Sequence, residues 1–182
     1  VGGLSTTVGA NAAVSWTGKL RVTQGPMLGS VGPDKALVWA RVGGEHDVRL
    51  GVIDSAGVRR AGPATRSLAS KDYCVKLETP VLQPDTRYRY RILIDAKEDE
   101  YLKDQWPCHL RSAPAGPASF TVAFGSCAKF QDDPVQEIWR GVRQVDPDLF
   151  LWLGDNVYID SLHESVMAEC YRRQREVLTA TE

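Results

Sequence analysis

A change in hydrophobic grammar near residue 113 constrains this chain more than any other feature. Before it, apolar side chains recur at every second position. Val48, Leu50 and Val52 alternate with Arg49 and Gly51; Tyr73, Val75 and Leu77 alternate with Cys74, Lys76 and Glu78; Tyr88, Tyr90, Ile92 and Ile94 alternate with arginines and Leu93. Successive side chains of a strand leave it on opposite faces, so a period of two predicts half-buried antiparallel strands. Turn residues punctuate the pattern regularly, at Gly32-Pro33-Asp34, Gly43-Gly44, Asp54 to Gly57 and Pro84-Asp85. Several short strands with frequent turns predict a β-sandwich over residues 20–112.

Two details give the sandwich an immunoglobulin or fibronectin type III character. Trp39, within Ala36-Leu37-Val38-Trp39-Ala40, stands where such a fold wants a large core aromatic. Leu82-Gln83-Pro84-Asp85-Thr86-Arg87-Tyr88 resembles the approach to the penultimate strand of a fibronectin type III domain, with Tyr88 as a tyrosine corner whose hydroxyl returns to nearby backbone. Arg87, Arg89 and Arg91 alternate with these apolar residues and read as a solvated strand face.

Residues 113–119 form a Pro/Gly/Ala linker, after which strand alternates with helix. Phe120 to Phe124 and Leu149 to Leu153 are short apolar runs of the kind that fills a buried parallel strand. Between them Asp133 is placed to cap a helix with Pro134 at its first position, and Val135, Ile138, Trp139 and Val142 make one helical stripe. A second helix is predicted over residues 162–178. Its charges (Glu164, Glu169, Arg172, Arg173, Arg175) read as a solvated face, with Met167 and Tyr171 turned to the core.

Each parallel strand ends in a small turn that carries a donor for metal. The first ends in Gly125-Ser126-Cys127, the second in Gly154-Asp155-Asn156-Val157-Tyr158. A βαβ crossover brings both turns to one sheet edge, where open α/β sheets bind ligands. A carboxylate at a strand tip can bridge two cations, and Asp155 is the candidate bridge. Cys127 lies about one βαβ unit earlier, and Tyr158 is near enough to turn back to the same ion. Thiolate and phenolate suit a charged transition metal such as ferric iron, whereas carboxylate and water suit calcium or magnesium. Taken singly, each residue has a plainer role: a turn aspartate, a buried cysteine, a packing tyrosine. Asn156 and Asp160 lie within reach of the same turn, and helix capping accounts for Asp160.

The combination of Gly125-Ser126-Cys127, the run from Pro147 to Asp160, and a preceding sandwich introduced by Gly25-Pro26-Met27-Leu28-Gly29 resembles the PhoD-type alkaline phosphatases, from about Gln24 to Tyr171. The resemblance implies a mixed fold: an Ig-like sandwich, then the start of an α/β metallophosphatase domain over residues 120–182. It implies hydrolysis of phosphate mono- or diesters with iron (Fe3+) and calcium. It also matches Cys127 to an iron-binding cysteine, Asp155 to a metal-bridging, catalytic aspartate and Tyr158 to an iron-binding tyrosine. The later histidine, aspartate and asparagine motifs of that family are missing, and His46, His109 and His163 sit in no such motif. The chain therefore reads as an incomplete part, inactive in isolation. The other readings are a non-catalytic binding module with a vestigial α/β part and a phosphodiester-cleaving, phospholipase-like esterase on the same scaffold.

Composition bounds the partners. A net charge of −1 gives no electrostatic reason to expect nucleic-acid specificity, and no apolar run is long enough to span a membrane. Residues 1–19 are small and uncharged up to Lys19, with Ala10-Asn11-Ala12 as a cleavage-like site. They are expected to be an export-signal remnant or a flexible terminus, and with the family resemblance they imply twin-arginine export to a periplasmic or secreted location. Cysteine spacing shows no zinc motif; a Cys74–Cys108 disulfide is one of several pairings the sequence leaves open.

Overall fold

The structure is a computed structural model that describes residues 19–99 and 108–180. The segment expected to be an export remnant lies outside the described residues, apart from Lys19. Mostly β-sheet with few helices, the chain has eleven strands among the described residues: β1 (Lys19–Val31), β2 (Ala36–Gly43), β3 (Asp47–Ile53), β4 (Arg59–Ala61), β5 (Thr65–Arg66), β6 (Cys74–Glu78), β7 (Arg87–Ile94), β8 (Lys97–Glu98), β9 (His109–Arg111), β10 (Val122–Gly125) and β11 (Leu149–Trp152). A short α-helix at Ile138–Val145 and a long one at Glu164–Ala180 follow the linker. Among the described residues no helix is long and apolar enough to cross a membrane.

The alternating half makes two antiparallel sheets. One runs β1-β2-β6; the other runs β4-β3-β7-β8, with β5 paired to β3 and β9 to β7. Their inward side chains merge into one core: Val38, Ala40, Val42, Val75 and Leu77 from the first sheet, and Val48, Leu50, Val52, Tyr88, Tyr90, Ile92 and Ile94 from the second. Each of these is 5% exposed or less, so burial of the alternate stripe is the main force that closes the two sheets together. Between the sheets the chain passes Gly62, where a Cβ would lie only 2.0 Å from the Glu78 carbonyl oxygen; a side chain there would force the two backbones apart.

Tyr88 is buried, and its hydroxyl accepts a hydrogen bond from the Gln83 backbone N–H at 2.9 Å, as the corner motif requires. Trp39 is not in the core. Register decides this: Val38 and Ala40 point inward, so Trp39 points out of the β1-β2-β6 sheet and is half-buried there, with the Arg175 guanidinium 6.0 Å from its ring centroid. Cys74 and Cys108 are free thiols rather than a disulfide.

The long helix lies against β1 on that outer face and inverts the polarity expected of it. Arg172, Gln174 and Arg175 turn toward the sheet, whereas Met167 and Tyr171 are 38% and 47% exposed. Polar partners on the sheet explain the inversion. Asp72 pairs with both Arg41 at 3.0 Å and Arg172 at 2.9 Å, and Gln24 donates to Glu176 at 3.1 Å.

β10 and β11 pair in parallel, with Val122 opposite Leu149 and Gly125 opposite Trp152. One face is covered by Trp139 of the short helix, whose ring packs edge-on against Phe150 and tilted against Trp152. The other face is bare: Val122, Phe124, Leu149 and Leu151 are 38–70% exposed, against the expectation of a strand pair buried on both sides. Parallel strands are buried only when layers cover both faces, and among the described residues a single layer does so. The short helix also begins later than Asp133. That carboxylate accepts from the Val135 and Gln136 N–H groups in a preceding turn, and the helix starts at Ile138 without a side-chain cap.

Candidate metal centre

The parallel pairing brings the two donor turns to the same edge. The strand ladder ends with the Leu153 N–H donating to the Gly125 carbonyl at 2.8 Å; the turns then stay in register, the Cys127 N–H donating to Gly154 at 3.3 Å and the Ala128 N–H to Asp155 at 3.1 Å. Backbone bonds therefore hold Cys127 beside Asp155 although 28 residues separate them.

The side chains converge on one atom. Asp155 Oδ2 lies 3.9 Å from Cys127 Sγ and 3.1 Å from the Tyr158 hydroxyl, which donates to it. Hydrogen bonding to Cys127 and Asp155, with their negative charge, pushes the Tyr158 phenol well above its ordinary range. A cation placed beside the phenol would oppose that effect, because its charge favours the phenolate.

The backbone is conformationally unusual here. Gly154 has φ 125°, which L side chains rarely adopt, while Cys127 and Asp155 have φ 61° and 48°. Aspartate tolerates the left-handed region; cysteine there is uncommon and each such residue costs on the order of 1 kcal/mol. The effect is to aim both donors off the strand tips.

As a metal site the donor set fits in part. Thiol, carboxylate and phenol are three side chains that could donate to an ion. Among the described residues no group of three His, Cys, Asp or Glu side chains is clustered closely enough to hold a metal, so the phenol completes this set. Asn156 is half-buried with its Oδ1 lacking a hydrogen-bond partner, an orphaned acceptor in the residue next to Asp155. Asp160 is exposed and caps nothing: Ser161 Oγ accepts from His163 N–H ahead of the long helix.

Two neighbours escape the strand-and-turn reading. Gln131 donates to the Tyr158 carbonyl at 3.0 Å, and the Lys129 ammonium sits 5.9 Å from the Tyr158 ring centroid. Both lie in the irregular segment after β10, where no periodicity marks which residues turn back.

A family model described as the N-terminal domain of the PhoD-like phosphatases matches residues 9–105, more than half of the chain. A solved structure of PhoD superposes with a TM-score of 0.70 at 20% sequence identity, covering 90% of this chain and 37% of that one. The chain thus spans 37% of the length of the PhoD structure it matches, and the likeness is one of fold. The sensor domain of the anti-sigma factor RsgI4 of Pseudobacteroides cellulosolvens aligns at 9% identity with a TM-score of 0.38, over 52% of this chain and 95% of that one. No curated protein matches the sequence.

Proposed function

Because the chain belongs to the PhoD-like phosphatase family, we propose that the complete protein hydrolyses phosphate mono- or diesters at a metal centre to which Cys127, Asp155 and Tyr158 contribute. The observation that carries this reading is the convergence of those three donors on Asp155 Oδ2 at the shared edge of two parallel strands. In the same reading residues 20–112 are an Ig-like or fibronectin-like module, and residues 120–182 are the opening βαβα part of the catalytic domain. The two-sheet core and the Tyr88 corner support the first of these assignments.

Cys127 and Tyr158 would hold ferric iron, and Asp155 would serve as a shared ligand to iron and calcium. When bound, such a pair supplies Lewis acidity for phosphoryl transfer to water. The chain's own residues prepare the place. Asp155 Oδ2 accepts a hydrogen bond from the Tyr158 hydroxyl, and the left-handed turns keep Cys127 and Asp155 at the strand tips. The uncharged run at residues 1–18 supports a periplasmic or secreted location for the protein.

The test is Asp155→Asn in the complete protein, with phosphate-ester turnover and bound metal measured together. The amide cannot bridge two cations, so both turnover and metal content are expected to fall to background. Near-normal turnover at full metal occupancy would make Asp155 a turn residue and leave the module non-catalytic at this edge.

A further inference from the structure

The outward face of the second sheet is basic. Burial alternates along β7, so Tyr88, Tyr90 and Ile92 fill the core while Arg87, Arg89 and Arg91 stand on the opposite side. Register adds two more guanidiniums to the face: Arg87 lies opposite Arg111 of β9, and Arg49 of β3 lies opposite Leu93, while Arg89 has His109 on one side and Ile53 on the other.

Carboxylates satisfy only the rim of this face. Arg59 pairs with Glu98 at 3.0 Å, Arg111 with Asp85 at 2.7 Å and Asp148 at 3.8 Å, and Arg87 with Asp146 at 3.9 Å. Among the described residues Arg49, Arg89 and Arg91 have no carboxylate partner; Arg49 and Arg91 bond only to the backbone carbonyls of Gly62 and Tyr90. Gly51 stands opposite Arg91 and places no side chain beside its stem.

We propose that this face, centred on Arg49, Arg89 and Arg91, docks the backbone of an extended phosphodiester polymer. Side chains two apart on a strand are spaced about 7 Å. That is also about the separation of successive phosphates along an extended single chain with six bonds between phosphorus atoms, so Arg87, Arg89 and Arg91 present one guanidinium per phosphate. Bases would go unread, since the face carries arginine, histidine and aliphatic side chains, with Asp47 at its rim paired to Arg66, but no Phe, Tyr or Trp for stacking. Asp146 and Asp148, which touch Arg87 and Arg111, precede β11, whereas Asp155 follows it. The face therefore lies toward the sheet edge away from the donor turns and acts as a tether that raises local polymer concentration, not as a subsite. Why such a polymer would be met rests on the phosphoesterase reading; the contact itself uses none of Cys127, Asp155 or Tyr158.

The experiment is fluorescence anisotropy with a labelled oligothymidylate and an abasic oligomer of equal length, in EDTA, over a salt series. Both should bind, with the logarithm of affinity falling against the logarithm of salt with a slope of about −2 for three phosphate contacts. Arg89→Glu with Arg91→Glu should weaken binding about tenfold or more and flatten that slope. Lys35→Glu with Lys76→Glu, an equal charge change elsewhere, should alter it less than about twofold. Glutamine at positions 89 and 91 gives a smaller loss and decides the matter if the reversal variant does not fold. Equal losses in the two pairs, no loss in either, no binding by the unaltered protein, or binding of the oligothymidylate alone would each overturn the proposal. Because EDTA removes metal, these outcomes are independent of catalysis: Asp155→Asn should bind both oligomers as the unaltered protein does.

Discussion

Single residues in this chain act through one or two directed bonds, and Tyr88 shows how local such a role is. Its ring fills the core at 2% exposure while its hydroxyl is held by the Gln83 N–H. Tyr88→Phe keeps the ring and orphans that donor, so the unfolding free energy should fall by about 1 kcal/mol, read as a lower denaturant midpoint at unchanged slope. An unchanged midpoint would reduce the corner to packing. This role was legible because the Leu-x-Pro-x-Thr-x-Tyr spacing is itself local. Cys127 and Asp155 could be named as candidates for a similar reason, since residue type and position after an apolar run are written in the chain. Their left-handed conformation was not: nothing about cysteine favours φ 61°, and it arises from the bond its backbone N–H makes to Gly154 across the sheet.

At the scale of elements, what packs on what depends on partners far away in sequence. The long helix has charges on several sides, and a helical stripe alone assigns Met167 and Tyr171 to the interior. The sheet it meets presents Asp72, Arg41 and Gln24, so Arg172 and Gln174 turn inward instead. Burial raises the Asp72 carboxyl, but the Arg41 and Arg172 guanidiniums outweigh it and hold the group below its ordinary range. A carboxylate depressed in the folded state stabilises fully above its unfolded pKa, near 4, and that stabilisation is lost as pH falls through the lower folded value. Helix docking should therefore weaken in acid, below about pH 4. Hydrogen exchange of the helix amides should speed up there, and Asp72→Asn should show the faster exchange already at neutral pH. Exchange that ignores both acid and the substitution would remove Asp72 from the docking account. The same distance dependence misplaced Trp39, because a one-residue difference in which side chain points inward moves the whole set to the other face.

For the whole molecule, the consequential surface is the bare side of the β10–β11 pair. Phe124 opposite Leu151 and Val122 opposite Leu149 form an apolar patch that no described layer covers. Patches of this kind drive association, so the 182-residue chain should self-associate at micromolar concentration. Phe124→Lys with Leu151→Lys should shift its sedimentation toward monomer; a monomer without them would show that the patch is too small to matter. The linear order of residues was sufficient for the period-two strands, the switch to strand–helix–strand after residue 113, the Tyr88 corner and the naming of Cys127, Asp155 and Tyr158 as candidates, because each depends on neighbours a few positions apart. Tertiary structure alone decided that Trp39 leaves the core, that the long helix docks by its polar side and that one sheet face stays open. It also decided that the Cys127 thiol and the Tyr158 hydroxyl, at the two ends of a 32-residue stretch, meet at one carboxylate oxygen of Asp155. Those outcomes depend on register and on which surfaces find partners across the fold, and neither is carried by any local stretch of chain.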